Sequence, residues 1–237
     1  MQADLEIREI ETRKGGVALV ATASFDATTF DIAHFAAEGI RCPLSVARSS
    51  RNRQAEFFFG RLTARAALEA LGEETVDILI GALRQPLWPE GVVGSISHTD
   101  SAAAAIVGMR SDHAGLGIDI ENVVPEEVCA VIKDVVLDEG ELACLGRQAP
   151  FESMRRLVTL ALSAKESFFK GTFDMVGSHF DLHTARLTAI HPQKNSVVLQ
   201  VESDLHPLLL RGMRYEVTYS WLTPRTLLTV FDQRLTS

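Results

Sequence analysis

Two long helical segments, set far apart in the chain and each accompanied by several short apolar runs, restrict this sequence to folds that hold one long helix and several strands in each half. The first helix opens at Ser49 or Ser50, residues suited to capping an N-terminus, and runs to about Leu71, where Gly72 stops it. Phe58, Leu62, Ala66 and Glu69 mark one stripe of it, and Arg53, Phe57 and Arg61 mark another at i, i+4 and i+8. The second helix is expected from about Phe151 to Lys170 with Gly171 as its stop, and Met154, Leu157, Val158, Ala161 and Leu162 supply its core stripe.

Strands are expected at Val17–Ala23, Val76–Ile80, Val92–Ser97 and Ala102–Val107 in the first half. In the second half they are expected at Gly117–Val123, Phe180–Ile190, Val197–Glu202, Met213–Leu222 and Leu227–Phe231, the last two joined by a Thr223-Pro224 turn. Shorter helical pieces fall at Asp31–Gly39 and Pro125–Lys133, and a less clearly periodic acidic region runs to about Gly146. Cys42-Pro43 breaks the pattern, and Gln85–Gly91 is a loop with two prolines that has Arg84 at its entrance. Ala102 to Ala105 leave room for a closely packed neighbour. The polar, glycine-containing stretch from Met109 to Gly115 marks a boundary, dividing the chain into 1–112 and 113–237. The expected fold class is α+β, built as two similar lobes, without an alignable repeat or coiled coil.

Bulk composition narrows the function. The chain has 237 residues, 46% hydrophobic and 23% charged, as an ordinary globular protein does, and no apolar run approaches the roughly 18 residues that span a bilayer. Met1 to Glu11 is charged and mixed and shows no secretory pattern, so a cytoplasmic protein with no membrane span is expected. Cys42, Cys129 and Cys144 form no C-x-x-C pair, which argues against a disulfide framework or structural zinc and for small buried hydrophobes. A net charge of -8 argues against nonspecific nucleic-acid binding. Within that acidic average, Arg41, Arg48, Arg51, Arg53, Arg61 and Arg65 crowd the early chain, a local basic patch suited to a small anionic ligand or an acidic protein partner.

The chemistry concentrates in three blocks. In Gly117-Ile-Asp-Ile-Glu121, Asp119 and Glu121 stand two apart, and in a strand that spacing sends both carboxylates to one face. In Leu162–Lys170, Glu166 and Lys170 stand at i, i+4 on a helix. Magnesium takes hard oxygen ligands and commonly shares carboxylates with substrate phosphates, so these two blocks together point to a phosphate-bearing substrate. Taken singly, a D-x-E also describes a solvated strand end, a K-E-S a surface charge pair, and the arginine stripe a solvated helix face. The third block, Gly94-Ser-Ile-Ser-His-Thr99, places a hydroxyl-rich turn and His98 after a strand, where hydroxyls, backbone N–H groups and the imidazole can meet an anion.

In this order, Gly94–Thr99, Gly117–Glu121 and Ser163-Ala-Lys-Glu-Ser167 with Lys170 resemble the signature blocks of the 4'-phosphopantetheinyl transferases, in particular the two-lobed surfactin and enterobactin type. Arg53, Phe57-Phe-Phe-Gly-Arg61 and Trp88-Pro-Glu-Gly91 resemble the enterobactin-like bacterial branch, and the resemblance extends over Arg48 to Phe173. It implies a pseudo-twofold pair of lobes with coenzyme A and magnesium in the cleft between them. It further implies that Asp119, Glu121 and Glu166 hold the metal, that Arg53, Arg61, Arg84, His98 and Lys170 contact coenzyme A phosphates with Thr99 beside them, and that Lys165 assists. Arg84 stands where a lysine is common in the family, and Ile120, in the middle of the D-x-E, points to the opposite strand face.

The implied reaction is attack by a carrier-protein serine on the β-phosphate of coenzyme A, releasing 3',5'-adenosine bisphosphate, with Glu166, Lys165 and Asp119 in the catalytic set. The acceptor would be an acyl or peptidyl carrier domain, and one chain carrying both lobes makes a monomer sufficient. Two other readings use the same residues: a protein that binds coenzyme A or a carrier domain without turnover, and a magnesium-dependent nucleotide hydrolase. Separately, His179, Asp181 and His183 alternate as metal ligands on a strand would, and equally as polar residues of an edge strand.

Overall fold

A computed structural model describes residues 4–11, 17–74 and 77–234. The elements are β1 (Asp4–Glu11), β2 (Val17–Ser24), α1 (Ala33–Ala37), α2 (Leu44–Ala47), α3 (Arg51–Leu71), β3 (Leu79–Ile80), β4 (Pro86–Leu87), β5 (Val92–His98), β6 (Ala102–Met109) and β7 (His113–Asn122). They continue with α4 (Glu126–Val136), α5 (Glu139–Gly146), α6 (Met154–Val176), β8 (Ala185–His191), β9 (Ser196–Val201), β10 (Arg214–Thr223) and β11 (Thr226–Arg234). The fold is α+β. The chain divides into two compact units between Leu116 and Gly117, inside β7.

In the first unit an antiparallel sheet of order β1-β2-β6-β5 carries α3 on one face. Ala21 lies opposite Ala105 and Ala23 opposite Ala103 in the β2–β6 ladder, so this sheet presents a shallow surface. Ala64, Ala67 and Leu68 of α3 settle into it beside Leu19 and Val107. Ser50 caps the helix by accepting from the Arg53 N–H, and Gly72 ends it at φ 88°, a left-handed conformation that glycine adopts without a Cβ penalty. An aromatic cluster continues this packing around the N-terminal half of α3: Phe25 stacks on Phe59 at 4.2 Å, and Phe30 and Phe35 pack against Phe58.

In the second unit α6 lies on a sheet of order β7-β11-β10-β9-β8. Leu157, Val158, Ala161, Ala164 and Phe168 bury against Leu187, Val197, Leu199, Val217 and Phe231. The helix does not stop at Gly171. It continues to Val176 and ends at Gly177 with φ 71°. Gly171 serves packing instead: a Cβ there would stand 2.5 Å from Phe231 Cδ1 and 2.8 Å from the Gly117 nitrogen. At Gly117 a Cβ would meet the Ser167 carbonyl at 1.8 Å, so the two glycines let β7 and α6 touch backbone to backbone.

Several local expectations are revised. Residues 4–11, for which no element is expected from the sequence, form the edge strand β1, paired along β2. The Val76–Ile80 strand shortens to Leu79–Ile80, and Val76 lies outside the described residues. The acidic region before Gly146 holds α5, nucleated by a capping box in which Asp138 accepts from the Glu141 N–H and Glu141 accepts from the Asp138 N–H. The strand expected from Phe180 begins only at Ala185, because Asp181 caps a 3-10 turn over Leu182–Thr184. His179, Asp181 and His183 therefore do not alternate along a strand, and Asp181 is engaged with the His183 N–H and Nδ1, each at 2.8 Å. All three cysteines are free, with Cys129 and Cys144 buried and Cys42 half-buried.

Lys165 is placed elsewhere than the resemblance implies. Its side chain is wholly buried, and Nζ donates to Glu141 Oε1 and to the Val136 carbonyl, each at 2.8 Å. Glu141, itself 1% exposed, also accepts from the Leu187 N–H at 2.7 Å and the Asp138 N–H at 2.9 Å. This ion pair thus ties the α4–α5 junction, α6 and β8 together. It is satisfied on every side, the condition under which a buried pair is tolerated.

Two stability predictions follow from these contacts. Gly117→Ala, which drives a methyl into backbone, should lower the urea midpoint more than Gly171→Ala, whose methyl meets a phenyl ring edge and a backbone nitrogen; about 1–3 kcal/mol is expected for the milder case. Lys165→Met should cost roughly 3–5 kcal/mol by leaving a buried carboxylate, and Glu141→Ala should cost more because two backbone N–H groups lose their acceptor as well. An equal or smaller loss in Glu141→Ala would show that those N–H bonds carry little weight.

Candidate functional site

The first unit assembles four of its expected anion-binding residues around one cavity. Arg53, Arg61, Arg84 and His98 line a hollow of about 520 Å3, together with apolar Phe57, Ile80, Pro86 and Ile96. Each arrives by a local rule. Arg53, Phe57 and Arg61 lie four residues apart on α3, and the Arg61 guanidinium sits 4.6 Å from the Phe57 ring centroid as a cation–π contact. All three phenylalanines belong to the aromatic core, and Phe57 also lines the cavity. Arg84 adopts φ 69° between β3 and β4, a left-handed conformation uncommon for a residue with a Cβ.

His98 ends β5 on the same strand face as Ile96, and both line the cavity. Ser95 and Ser97 fall on the other face and are buried, so they do not join His98 as the expected hydroxyl cluster. Thr99 holds the β5–β6 turn: its N–H donates to the Ala102 carbonyl at 2.7 Å, and its hydroxyl oxygen accepts from the Ala102 N–H at 3.0 Å.

Glu56 is the site residue that the sequence reading missed. Its carboxylate lies 3.0 Å from Arg53 Nη1 and 3.6 Å from His98 Nδ1, and it lines the same cavity. Arginine only donates, so the 2.7 Å contact from Arg53 Nη1 makes His98 Nε2 the acceptor and leaves the imidazole proton on Nδ1, facing Glu56. The available signal was the i, i+3 spacing from Arg53 on the cavity side of α3. Arg61 differs from Arg53 in having a buried Nε without a hydrogen-bond partner among the described residues. Burial, and secondarily the charge of Arg53, push its pKa down to about 10, which still leaves it cationic at neutral pH.

In the second unit β7 and α6 bring Asp119, Glu121, Glu166 and Lys170 together. Asp119 is 2% exposed, and Lys170 Nζ donates to its Oδ1 at 2.6 Å. Burial pushes the Glu121 carboxyl up to about 7, reinforced by the charges of Asp119 and Glu166 and opposed by Lys170. Burial likewise raises Glu166, with Lys170 opposing and Asp119 adding to the rise. Three carboxylates thus repel one another in a poorly solvated place, with one ammonium among them. Among the described residues no three histidine, cysteine or carboxylate side chains already stand in a metal-holding group. The donor set nonetheless fits a hard divalent cation, since such an ion would relieve the repulsion that raises Glu121 and Glu166.

Comparison with known proteins covers both units. Residues 43–108 match the family described as the 4'-phosphopantetheinyl transferase N-terminal domain, and residues 115–219 match the 4'-phosphopantetheinyl transferase superfamily. The chain is 38% identical over 128 residues to enterobactin synthase component D of Salmonella typhimurium, covering 54% of this chain and 52% of that protein. It is 38% identical over 149 residues to 4'-phosphopantetheinyl transferase Svp of Streptomyces mobaraensis, covering 62% and 58%. Against 4'-phosphopantetheinyl transferase PptT of Mycobacterium tuberculosis it is 33% identical over 150 residues, covering 60% and 61%. The chain spans about half the length of the curated relatives it matches. With its two matched regions running in order through α3, β5, β7 and α6, the chain belongs to the 4'-phosphopantetheinyl transferase superfamily.

Proposed function

We propose that this protein transfers the 4'-phosphopantetheine group of coenzyme A to a serine of an apo carrier domain and releases 3',5'-adenosine bisphosphate. The observation that carries this reading is the cluster of buried Asp119 with half-buried Glu121 and Glu166 around Lys170. A phosphoryl transferase uses mutually repelling, poorly solvated carboxylates to recruit a cation beside the transferring phosphate. Asp119, Glu121 and Glu166 would hold magnesium, which when bound neutralises charge on the pyrophosphate.

The chain's own residues then have distinct parts. Phe57, Ile80, Pro86 and Ile96 offer apolar surface to the adenosine end, and Arg53, Arg61, Arg84 and His98 offer donors to its phosphates. Lys170 supplies positive charge beside the β-phosphate. Glu166, whose proton affinity burial has raised, accepts the proton of the serine hydroxyl as its oxygen attacks the β-phosphorus and the anhydride bond breaks. Phosphoryl transfer asks a protein chiefly for alignment and charge stabilisation, and the parts named are of that kind. The relatives named enterobactin synthase component D support a carrier domain of the kind used in enterobactin assembly. Among the described residues no helix is long and apolar enough to cross a membrane. We read the enzyme as a cytoplasmic monomer, since one chain carries both groups of residues.

Intact-protein mass spectrometry on a panel of apo acyl and peptidyl carrier domains should show the gain of one phosphopantetheine with coenzyme A and magnesium, and none with excess chelator. Nucleotide release without a carrier would instead mark a hydrolase. Asp119→Ala should lower kcat/KM by roughly 100-fold or more while keeping the unfolding midpoint, and near-full activity would remove Asp119 from the metal set. Arg61→Ala should raise the KM for coenzyme A about tenfold or more with a smaller change in kcat, as loss of a charge-assisted contact does. An unchanged KM would return Arg61 to a purely structural place on α3.

A further inference from the structure

We propose that the first unit carries a second anion site, a cavity bounded by Arg41, Arg61 and Arg65 that takes a phosphate group. The cavity has a volume of about 280 Å3, and its lining shares Arg61 alone with the larger hollow assigned above to coenzyme A. Three guanidinium groups line it against one carboxylate, Asp77, whose Oδ1 accepts from the Arg41 backbone N–H at 3.4 Å.

The three arginines differ in how they are held. Arg65 is anchored at the wall: Nη1 donates to the Glu38 carbonyl at 2.5 Å and Nη2 to Glu38 Oε2 at 2.9 Å. Glu38 does not line the cavity, so it orients Arg65 without filling the space. The Arg41 side chain forms no hydrogen bond or ion pair among the described residues. Arg61 lines both cavities and has a buried Nε without a hydrogen-bond partner among the described residues. A buried donor left unmatched is costly, and a cationic cavity beside one is a place where an anion restores what the fold leaves out. Planar guanidinium forks converging from several directions suit the tetrahedral, multiply accepting oxygens of phosphate.

Such a group could belong to free inorganic phosphate or to the coenzyme A molecule itself, and the shared Arg61 makes the two cases separable. If the phosphate is free, it competes for Arg61 and weakens coenzyme A binding, and by linkage coenzyme A weakens phosphate binding by the same factor. If it belongs to coenzyme A, the two cavities act as one extended site.

The test is calorimetric titration of inorganic phosphate into the full chain at constant ionic strength, without coenzyme A, followed by titration of coenzyme A with and without phosphate. Saturable phosphate binding that falls at least tenfold in Arg41→Ala, and persists in Arg84→Ala and Arg51→Ala, would establish the site. Arg84 lines only the larger hollow and Arg51 lines neither. Coenzyme A affinity that Arg41→Ala leaves unchanged in phosphate-free buffer then assigns the free ion, and a tenfold loss there assigns the group to coenzyme A. No phosphate binding, but a tenfold loss of coenzyme A affinity in Arg41→Ala, assigns the group to coenzyme A. Phosphate binding lost in Arg84→Ala and kept in Arg41→Ala overturns the proposal, as does wild-type behaviour of Arg41→Ala in both titrations. The phosphate titration involves no transfer reaction, so its outcome is independent of whether the chain modifies a carrier.

Discussion

The backbone contact between Gly117 and Gly171 is the constraint on which the second unit's chemistry depends. A side chain at either position would hold β7 away from α6, because the available gap is smaller than a methyl group. With both positions bare, the strand lies against the helix closely enough for Lys170 to reach Asp119 at 2.6 Å, and Glu121 and Glu166 come within electrostatic influence of the same pair. The proximity also creates the repulsion that burial then amplifies. Packing and electrostatics are therefore one event here: the contact that stabilises helix on strand is what concentrates the carboxylates.

The helix supplies two lysines with opposite fates. Lys165 and Lys170 are five residues apart, which rotates them by about 140° around the helix axis, so one faces the core when the other faces β7. Lys165 is satisfied by Glu141 and the Val136 carbonyl and helps fix where α6 sits. Lys170 keeps partial exposure and donates to Asp119 at 2.6 Å. Glu166, four residues before Lys170, shares its side of the helix. One turn of helix thus separates a structural ammonium from one positioned for chemistry.

The first unit works by a different balance. Its sheet is built of alanines so that α3 can approach, and α3 in turn carries Phe57 and the arginines to the cavity edge. Glu56 tempers that cationic surface by engaging Arg53 and facing His98, whereas Arg61 keeps its charge with an aromatic ring beneath it and a buried donor unmatched. Two guanidinium groups eight residues apart on one helix consequently offer an incoming phosphate different things: one already partnered by a carboxylate, the other not.

Periodicity and punctuation in the amino-acid sequence determined both long helices, most strands, the α+β class and the blocks around His98, Asp119 and Glu166, because apolar spacing and capping residues act over a few neighbours. They gave α3 its stop at Gly72 and narrowed its cap to Ser49 or Ser50, of which the fold uses Ser50. Gly171 was misread as a stop for the same reason: a glycine that ends a helix and one that admits another backbone look alike until the partner, Gly117, is in place. The tertiary structure alone decided which lysine faces the core, which side of β5 carries His98, and that Glu56 shares a cavity with Arg53. These outcomes depend on contacts between segments distant in the chain, where burial and charge act through space and leave no local pattern to read.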